Sequence, residues 1–241
     1  MTKTEKKQIF DLLKTVDSHI NGYTRPQFAS EPVFEDDITE NPAPTSEPVT
    51  QEKHGMTLED LNKKLLRCTR CGLARTRNNT VFGQGVEHPE VLVIGEAPGY
   101  NEDMQGLPFV GKAGMLLDKM LDAIQLSRTT NCYIANVIKC RPPENRDPYP
   151  DEQNACFSFL EAQIHILKPK MILCMGRISA HKLLNNELPI KDMRGNFYDY
   201  NGIPLLVTYH PSALLQNESL KRPAWEDLKL FRKRLDDLLN N

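Results

Sequence analysis

Long apolar runs are missing from this chain. No hydrophobic stretch approaches the roughly 20 residues that cross a bilayer, which excludes a helical membrane protein. The N-terminus, MTKTEKKQIFDLLK, lacks the apolar core and small-residue cleavage site of an export signal, so the sequence reads as cytoplasmic. Cysteine is sparse, six in 241 residues, too few for a disulfide scaffold. In a reducing compartment such residues point to metal binding, catalysis or plain burial. No G-x-G-x-x-G follows a predicted strand, which weighs against a dinucleotide site. No internal repeat is present. Excess charge is small as well: 30 basic against 32 acidic residues, net -2. The acidity is local to residues 21–55, which carry -5, whereas residues 1–20 carry +1 and 56–241 carry +2. The main body is therefore neutral to slightly basic, which leaves a nucleic-acid partner open.

Three segments differ in texture. In residues 1–20, Ile9, Leu12, Leu13, Val16 and Ile20 recur at helical spacing, one amphipathic helix too short to be a domain. Residues 21–55 hold five prolines among acids and Ser/Thr, a composition that reads as a disordered linker. A helix on an acidic tether suggests a docking element for a partner, with an unselected tail as the alternative. From residue 56 onward the pattern is globular. Thr57 with Asp60 forms a capping-box variant ahead of a helix striped by Leu58, Leu61, Leu65 and Leu66. Four short apolar runs come next, at 91–94, 132–137, 171–175 and 205–209. Helical stretches at 111–125, 151–167, 177–185 and 223–239 lie between and after them. On the last of these, Trp225, Leu228, Phe231, Leu235 and Leu238 share a face. Continuous apolar strands alternating with helices predict an α/β fold around a four-stranded parallel sheet.

In such folds ligands bind beyond the carboxyl ends of the strands. The segments leaving the four strands read GEAPGYNED (95–103), KCRPPENR (139–146), GR (176–177) and HPSALL (210–215). Glu96, Glu102 and Asp103 cluster three carboxylates that can orient a water or stabilise a cationic sugar-like transition state. Phe109, in the Gly/Pro-rich GLPFVGKAG (106–114), is a candidate platform for a flat ligand. Asn136, near the end of the second strand, offers donor and acceptor side by side, the pattern that reads an amide edge such as uracil's. His210 is the one histidine at a strand's carboxyl end, placed to stabilise an oxyanion or transfer a proton. Leu214 and Leu215 beyond it can wedge into a base stack. Cys68 and Cys71 form a C-x2-C pair, with Cys140 after a strand and Cys156 in the next helix. Four thiolates on one centre take either zinc or an iron–sulfur cluster, and spacing does not choose between them. Cys132 and Cys174 fall inside strands and read as small core residues.

Taken together, GEAPGYNED, GLPFVGKAG, NVIKCRPPENR (136–146), HPSALL and the four cysteines resemble family 4 uracil-DNA glycosylases, the iron–sulfur type, over about residues 57–240. The resemblance implies the three-layer α/β/α sandwich of those enzymes and removal of uracil from single- or double-stranded DNA by a monomer. It implies a four-iron four-sulfur cluster on Cys68, Cys71, Cys140 and Cys156. Phe109 matches the aromatic that stacks on extruded uracil, Asn136 the residue that reads its polar edge, and His210 the histidine that stabilises the departing anion. Glu96, Glu102 and Asp103 match the acidic first motif, with Glu102 and Asp103 as catalytic candidates and Glu96 with Ala97 at the substrate. Ala97 stands where a related family has a water-activating Asp. Gln216 stands where family 4 commonly carries Arg, which would weaken one phosphate contact. Ser212, Leu214, Lys139, Arg141 and Arg146 are the candidate DNA ligands. The loop after the second strand contains no His, which weighs against the covalent-trapping branch of the superfamily. The competing reading is a non-catalytic iron–sulfur protein that binds nucleic acid on the same scaffold.

Overall fold

The computed structural model describes residues 56–240 and, before them, only Thr4 and Lys7. The chain divides into two units, Met1–Glu52 and Lys53–Asn241, and the α/β architecture is that of the second. The expected helix at 1–20 and linker at 21–55 lie outside the described residues apart from Thr4 and Lys7.

The four apolar runs form the parallel core of one sheet. Its strands are β2 (Val91–Gly95), β3 (Cys132–Asn136), β4 (Met171–Met175) and β6 (Ile203–Thr208). Two short strands, β1 (Gln84–Gly85) and β5 (Phe197–Tyr200), pair antiparallel at the edges, giving the order β1-β3-β2-β4-β6-β5. Successive residues of a strand face opposite sides. Thus Leu92 and Ile94 pack on one face with Leu61 and Leu65 of α1 (Leu58–Leu66), Phe159 and Leu160 of α4 (Pro150–Leu167) and Ala180 of α5 (Arg177–Leu184). Val91 and Val93 pack on the other with Leu117 and Leu121 of α3 (Lys112–Asp122) and Phe231 and Leu235 of α8 (Lys221–Leu239). This is the expected three-layer sandwich, enlarged by two edge strands.

Local chemistry explains the element boundaries. Thr57 accepts from the Asp60 amide while Asp60 accepts from the Thr57 amide, the reciprocal cap read from sequence. Pro150 and Pro211 open α4 and the short α7 (Pro211–Gln216), which comes after α6 (Ile190–Met193), and at such a first position a missing N–H costs nothing. One expectation is corrected: Trp225 is 40% exposed, and the buried face of α8 is carried by Ala224, Asp227, Leu228, Phe231 and Leu235.

Within the parallel core the chain moves outward from β2 first to β3 and then, past β2, to β4 and β6. The switch therefore lies between β2 and β4, and a crevice forms there beyond the strands' carboxyl ends.

Candidate active site

A cleft of about 290 Å³ occupies that crevice. Its walls come from the segments after four strands. Glu96, Ala97 and Gly99 follow β2, Asn136 ends β3, Gly176 and Arg177 follow β4, and His210 and Ser212 follow β6. Glu102 from α2 (Tyr100–Gln105), Phe109 and Arg146 complete it.

Parallel pairing sets Gly95 beside Asn136 in register. A Cβ on Gly95 would lie 2.5 Å from both Asn136 Oδ1 and the tip of the Phe109 ring. Hydrogen at that position is what lets amide and ring share the floor of the cleft. Phe109 itself holds φ 53°, a left-handed conformation that non-glycine residues rarely adopt. Its turn is tied down on every side. Arg128 donates to the carbonyls of Pro108 and Phe109 at 2.9 and 3.1 Å. Glu102 Oε1 accepts from the Val110 and Gly111 amides at 2.8 and 2.9 Å, and its other oxygen accepts from Gly99. On α3, Gly114 admits the Phe109 carbonyl where a Cβ would approach it to 1.9 Å.

His210 stands 5.5 Å, centroid to centroid, from the Phe109 ring. Gly176, at φ +88°, leaves room for it; a Cβ there would come within 2.9 Å of the His210 Cβ. The Ser212 amide donates to Nδ1 at 3.2 Å, with the Ser212 hydroxyl at 2.7 Å. Nδ1 is therefore an acceptor, and a neutral ring must carry its proton on Nε2. Burial pushes the imidazole down to about 4, opposed in part by the Glu102 charge, so the ring is neutral at pH 7. Glu96 is shifted the other way, up to about 7. Burial is the main cause, Asp147 adds to it, and Arg177 opposes it.

The most informative atoms are those of Asn136. The residue is 1% exposed, and neither its Nδ2 nor its Oδ1 has a hydrogen-bond partner among the described residues. A buried amide left without protein partners on both atoms costs folding free energy unless a water or a ligand completes it.

Asp103, Lys139 and Leu214 stand away from the cleft and are corrected, whereas Ser212 and Arg146 line it. Asp103 is buried, its carboxylate accepting from the Asn78 amide and side chain and the Asn79 amide; it secures the 78–79 loop and does not reach the cleft. Lys139 is fully buried, donating to the Asn136 carbonyl at 2.8 Å and to Gln163 Oε1 at 2.6 Å, so no DNA phosphate can reach it. Leu214 is 2% exposed and part of the core, whereas Leu215 is 49% exposed. Ser212 turns its hydroxyl to His210. Arg146 lines the cleft with its guanidinium answered by both oxygens of Glu152, and Arg141 meets Asn145 at 2.7 Å. The clearance provided by Gly95, Gly114 and Gly176 was missed, as was Arg177. Only Arg177, in the short GR after β4, carried a signal in the sequence.

Away from the cleft, Cys68, Cys71, Cys140 and Cys156 line one small cavity. Arg77 donates to Cys140 Sγ at 3.2 Å and to the Cys68 carbonyl at 2.8 Å, and the Lys139 amide donates to Cys156 Sγ at 3.3 Å. Burial pushes the Cys156 thiol up to about 11 and raises that of Cys140. Among the described residues no three Cys, His, Asp or Glu side chains are gathered to hold a single metal ion. Cys132 and Cys174 are buried in their strands, as read.

An open α/β sheet with an amide, an aromatic ring and an imidazole converging beyond its carboxyl ends defines a class, and a sequence model of the Uracil DNA glycosylase superfamily matches residues 82–229. Three similar proteins narrow it. A type-4 uracil-DNA glycosylase of Sulfurisphaera tokodaii is 41% identical over 185 residues, 73% of this chain and 84% of that protein. One of Thermotoga maritima is 41% identical over 176 residues, 71% and 91% of the two chains. One of Archaeoglobus fulgidus is 38% identical over 181 residues, 72% and 90%. The chain belongs to the type-4 uracil-DNA glycosylase family.

Proposed function

We infer that the cleft receives a uracil nucleotide turned out of DNA and hydrolyses its N-glycosidic bond, leaving an abasic site and free uracil. The observation that carries this reading is the unpaired buried amide of Asn136. Uracil presents O4 as acceptor and N3–H as donor, which matches an amide NH2 and carbonyl. Cytosine presents the reverse and would leave both ends mismatched, at about 1–3 kcal/mol per buried group. Phe109 stacks on the base.

The remaining groups divide the chemistry. The Nε2–H of the neutral His210 donates to uracil O2, where negative charge gathers as the C1′–N1 bond breaks and its electron pair stays on the base. Glu102 is fixed by three backbone amides, so it serves as a rigid negative charge near the developing sugar cation and as the clamp under Phe109. Glu96 is the cleft carboxylate that no hydrogen bond holds among the described residues, and it orients the attacking water. The water oxygen bonds C1′ as uracil departs, its proton passes to Glu96, and the uracil anion is protonated on release.

The cysteine cavity fits a four-iron four-sulfur cluster. It is lined by four thiols, and N–H donors already address two of the sulfurs. When bound, the cluster supplies iron–sulfur bonds that tie the Cys68–Cys71 turn to the loop and helix carrying Cys140 and Cys156, a structural role. Among the described residues no helix is long and apolar enough to cross a membrane. The proposal is completed by a cytoplasmic monomer in which residues 56–241 suffice for catalysis and Leu215, rather than Leu214, fills the gap left in the DNA stack. The test is release of free uracil from a uracil-containing oligonucleotide by purified protein whose absorption near 400 nm reports iron. Absence of uracil release overturns the catalytic reading, and a colourless, iron-free active protein overturns the cluster.

A further inference from the structure

The rim of the cleft carries a feature that the reaction leaves unused. Tyr100 and Tyr149 are each 56% exposed. Each has a guanidinium over its ring: Arg141 lies 5.1 Å from the Tyr100 centroid and Arg146 lies 3.6 Å from that of Tyr149. Arg141 Nε donates to Asn145 Oδ1 at 2.7 Å, and Asn145 adjoins Arg146 in the chain. The contacts thus run without a break from Tyr100 through Arg141, Asn145 and Arg146 to Tyr149. Asn145 and Arg146 also line the cleft, so the strip borders the place where the uracil enters. Its loop is stiffened by Pro142, Pro143, Pro148 and Pro150, so the rings are presented with little entropy left to lose.

The charge of this rim argues against a duplex clamp. Arg146 is answered by Glu152, Arg177 by Asp147, and Glu144 and Asp151 add further negative charge. Arg141, which meets the neutral Asn145, is the cation best placed for a phosphate. A weakly charged strip with two exposed rings suits bases that are free to stack on it, and those occur in single strands. Bases in a duplex are already stacked on one another.

We propose that Tyr100, Arg141, Arg146 and Tyr149 form a track for single-stranded DNA, on which bases flanking the extruded uracil stack, and that this track makes unpaired DNA the better substrate. The proposal rests on the uracil-excision reading of the cleft. Tyr100 and Tyr149 are specificity residues here and take no part in bond cleavage.

The test is steady-state excision from one uracil-containing sequence offered as a single strand and as a duplex. Tyr100→Ala and Tyr149→Ala should each raise KM for the single strand about tenfold, the scale of one lost base–aromatic stack. The duplex KM should move less than about threefold, kcat should hold on both, and Phe at either position should restore the single-strand KM. Arg141→Met should raise the single-strand KM and flatten its salt dependence. A second measurement needs no variant: a uracil-free single strand should inhibit the unsubstituted enzyme at least about tenfold better than its duplex. Equal inhibition overturns the track, as do an unchanged single-strand KM or equal rises on both substrates. Excision by the unsubstituted enzyme alongside those failures leaves the catalytic reading standing; no excision at all overturns both.

Discussion

Asn136 and Lys139 sit three residues apart at the end of the same strand, both polar and both buried, and their surroundings are opposite. Lys139 has its ammonium engaged by the Asn136 carbonyl and Gln163, and Gln163 in turn donates to the Phe82 carbonyl. Asn136 has an amide with no partner on either atom among the described residues. Folding alone explains the first residue and leaves the second unexplained. A buried polar group with every partner in place belongs to the architecture; one left open inside a cleft waits for a ligand. Glu102 and Asp103, side by side, differ in placement, since both carboxylates are held by hydrogen bonds. One faces the cleft, and the other is spent on the 78–79 loop.

The largest effect that sharpens this contrast lies with the chemistry opposite Asn136. His210→Ala should lower single-turnover excision by about 10²–10³-fold, the scale of one lost oxyanion donor, with binding of uracil-DNA little changed. Retention of the full rate would mean that Nε2–H does not serve the leaving group.

Lys139→Met tests the other side of the comparison. It strips the donor from two buried acceptors, at about 1–3 kcal/mol each. Thermal or denaturant unfolding should show a loss of about 2 kcal/mol or more. The fraction that remains folded should still excise uracil. A fully stable variant with lost activity would reverse the roles assigned to the two residues.

The smallest effect expected is one of pH. The Glu96 carboxyl is held at about 7 in the folded chain against an ordinary 4.5. Between those values the folded state binds the extra proton, so this residue's contribution to stability falls as pH rises through the window. Glu96→Gln should remove that slope and gain in relative stability above pH 7. Excision should rise through about pH 7 in the unsubstituted enzyme and lose that step in the variant. His210, pushed down from 6.5 to about 4, contributes the opposite slope below pH 6.5, and comparison with the Gln variant subtracts it. Identical pH profiles for the two proteins would remove Glu96 from the water.

Legibility in the sequence divides along the same line. The four parallel strands were legible because burial on both faces demands continuous apolar runs. Strands β1 and β5 were not, since two residues of QG and the half-exposed FYDY carry no such signal. Asn136, Phe109 and His210 were legible by position at strand ends. Asp103, Lys139 and Leu214 were misplaced because a sequence names a side chain without saying which way it turns. One step of the chain exchanges Leu214 for Leu215, or Asp103 for Glu102. The glycines at 95, 114 and 176 were silent for a related reason: each is required by an atom that the fold brings near, Asn136 and Phe109 at Gly95, the Phe109 carbonyl five residues back at Gly114, and His210 at Gly176.

The most direct measurement is single-turnover excision by Asn136→Ala, with the melting temperature taken on the same preparation. Loss of two hydrogen bonds to uracil should lower the rate constant at subsaturating DNA by about a hundredfold. The melting temperature should be unchanged or higher, because the substitution removes a buried amide that nothing among the described residues satisfies. Excision within a few-fold of the unsubstituted enzyme, or a fall in activity matched by a fall in stability, would contradict the assignment of Asn136 to uracil.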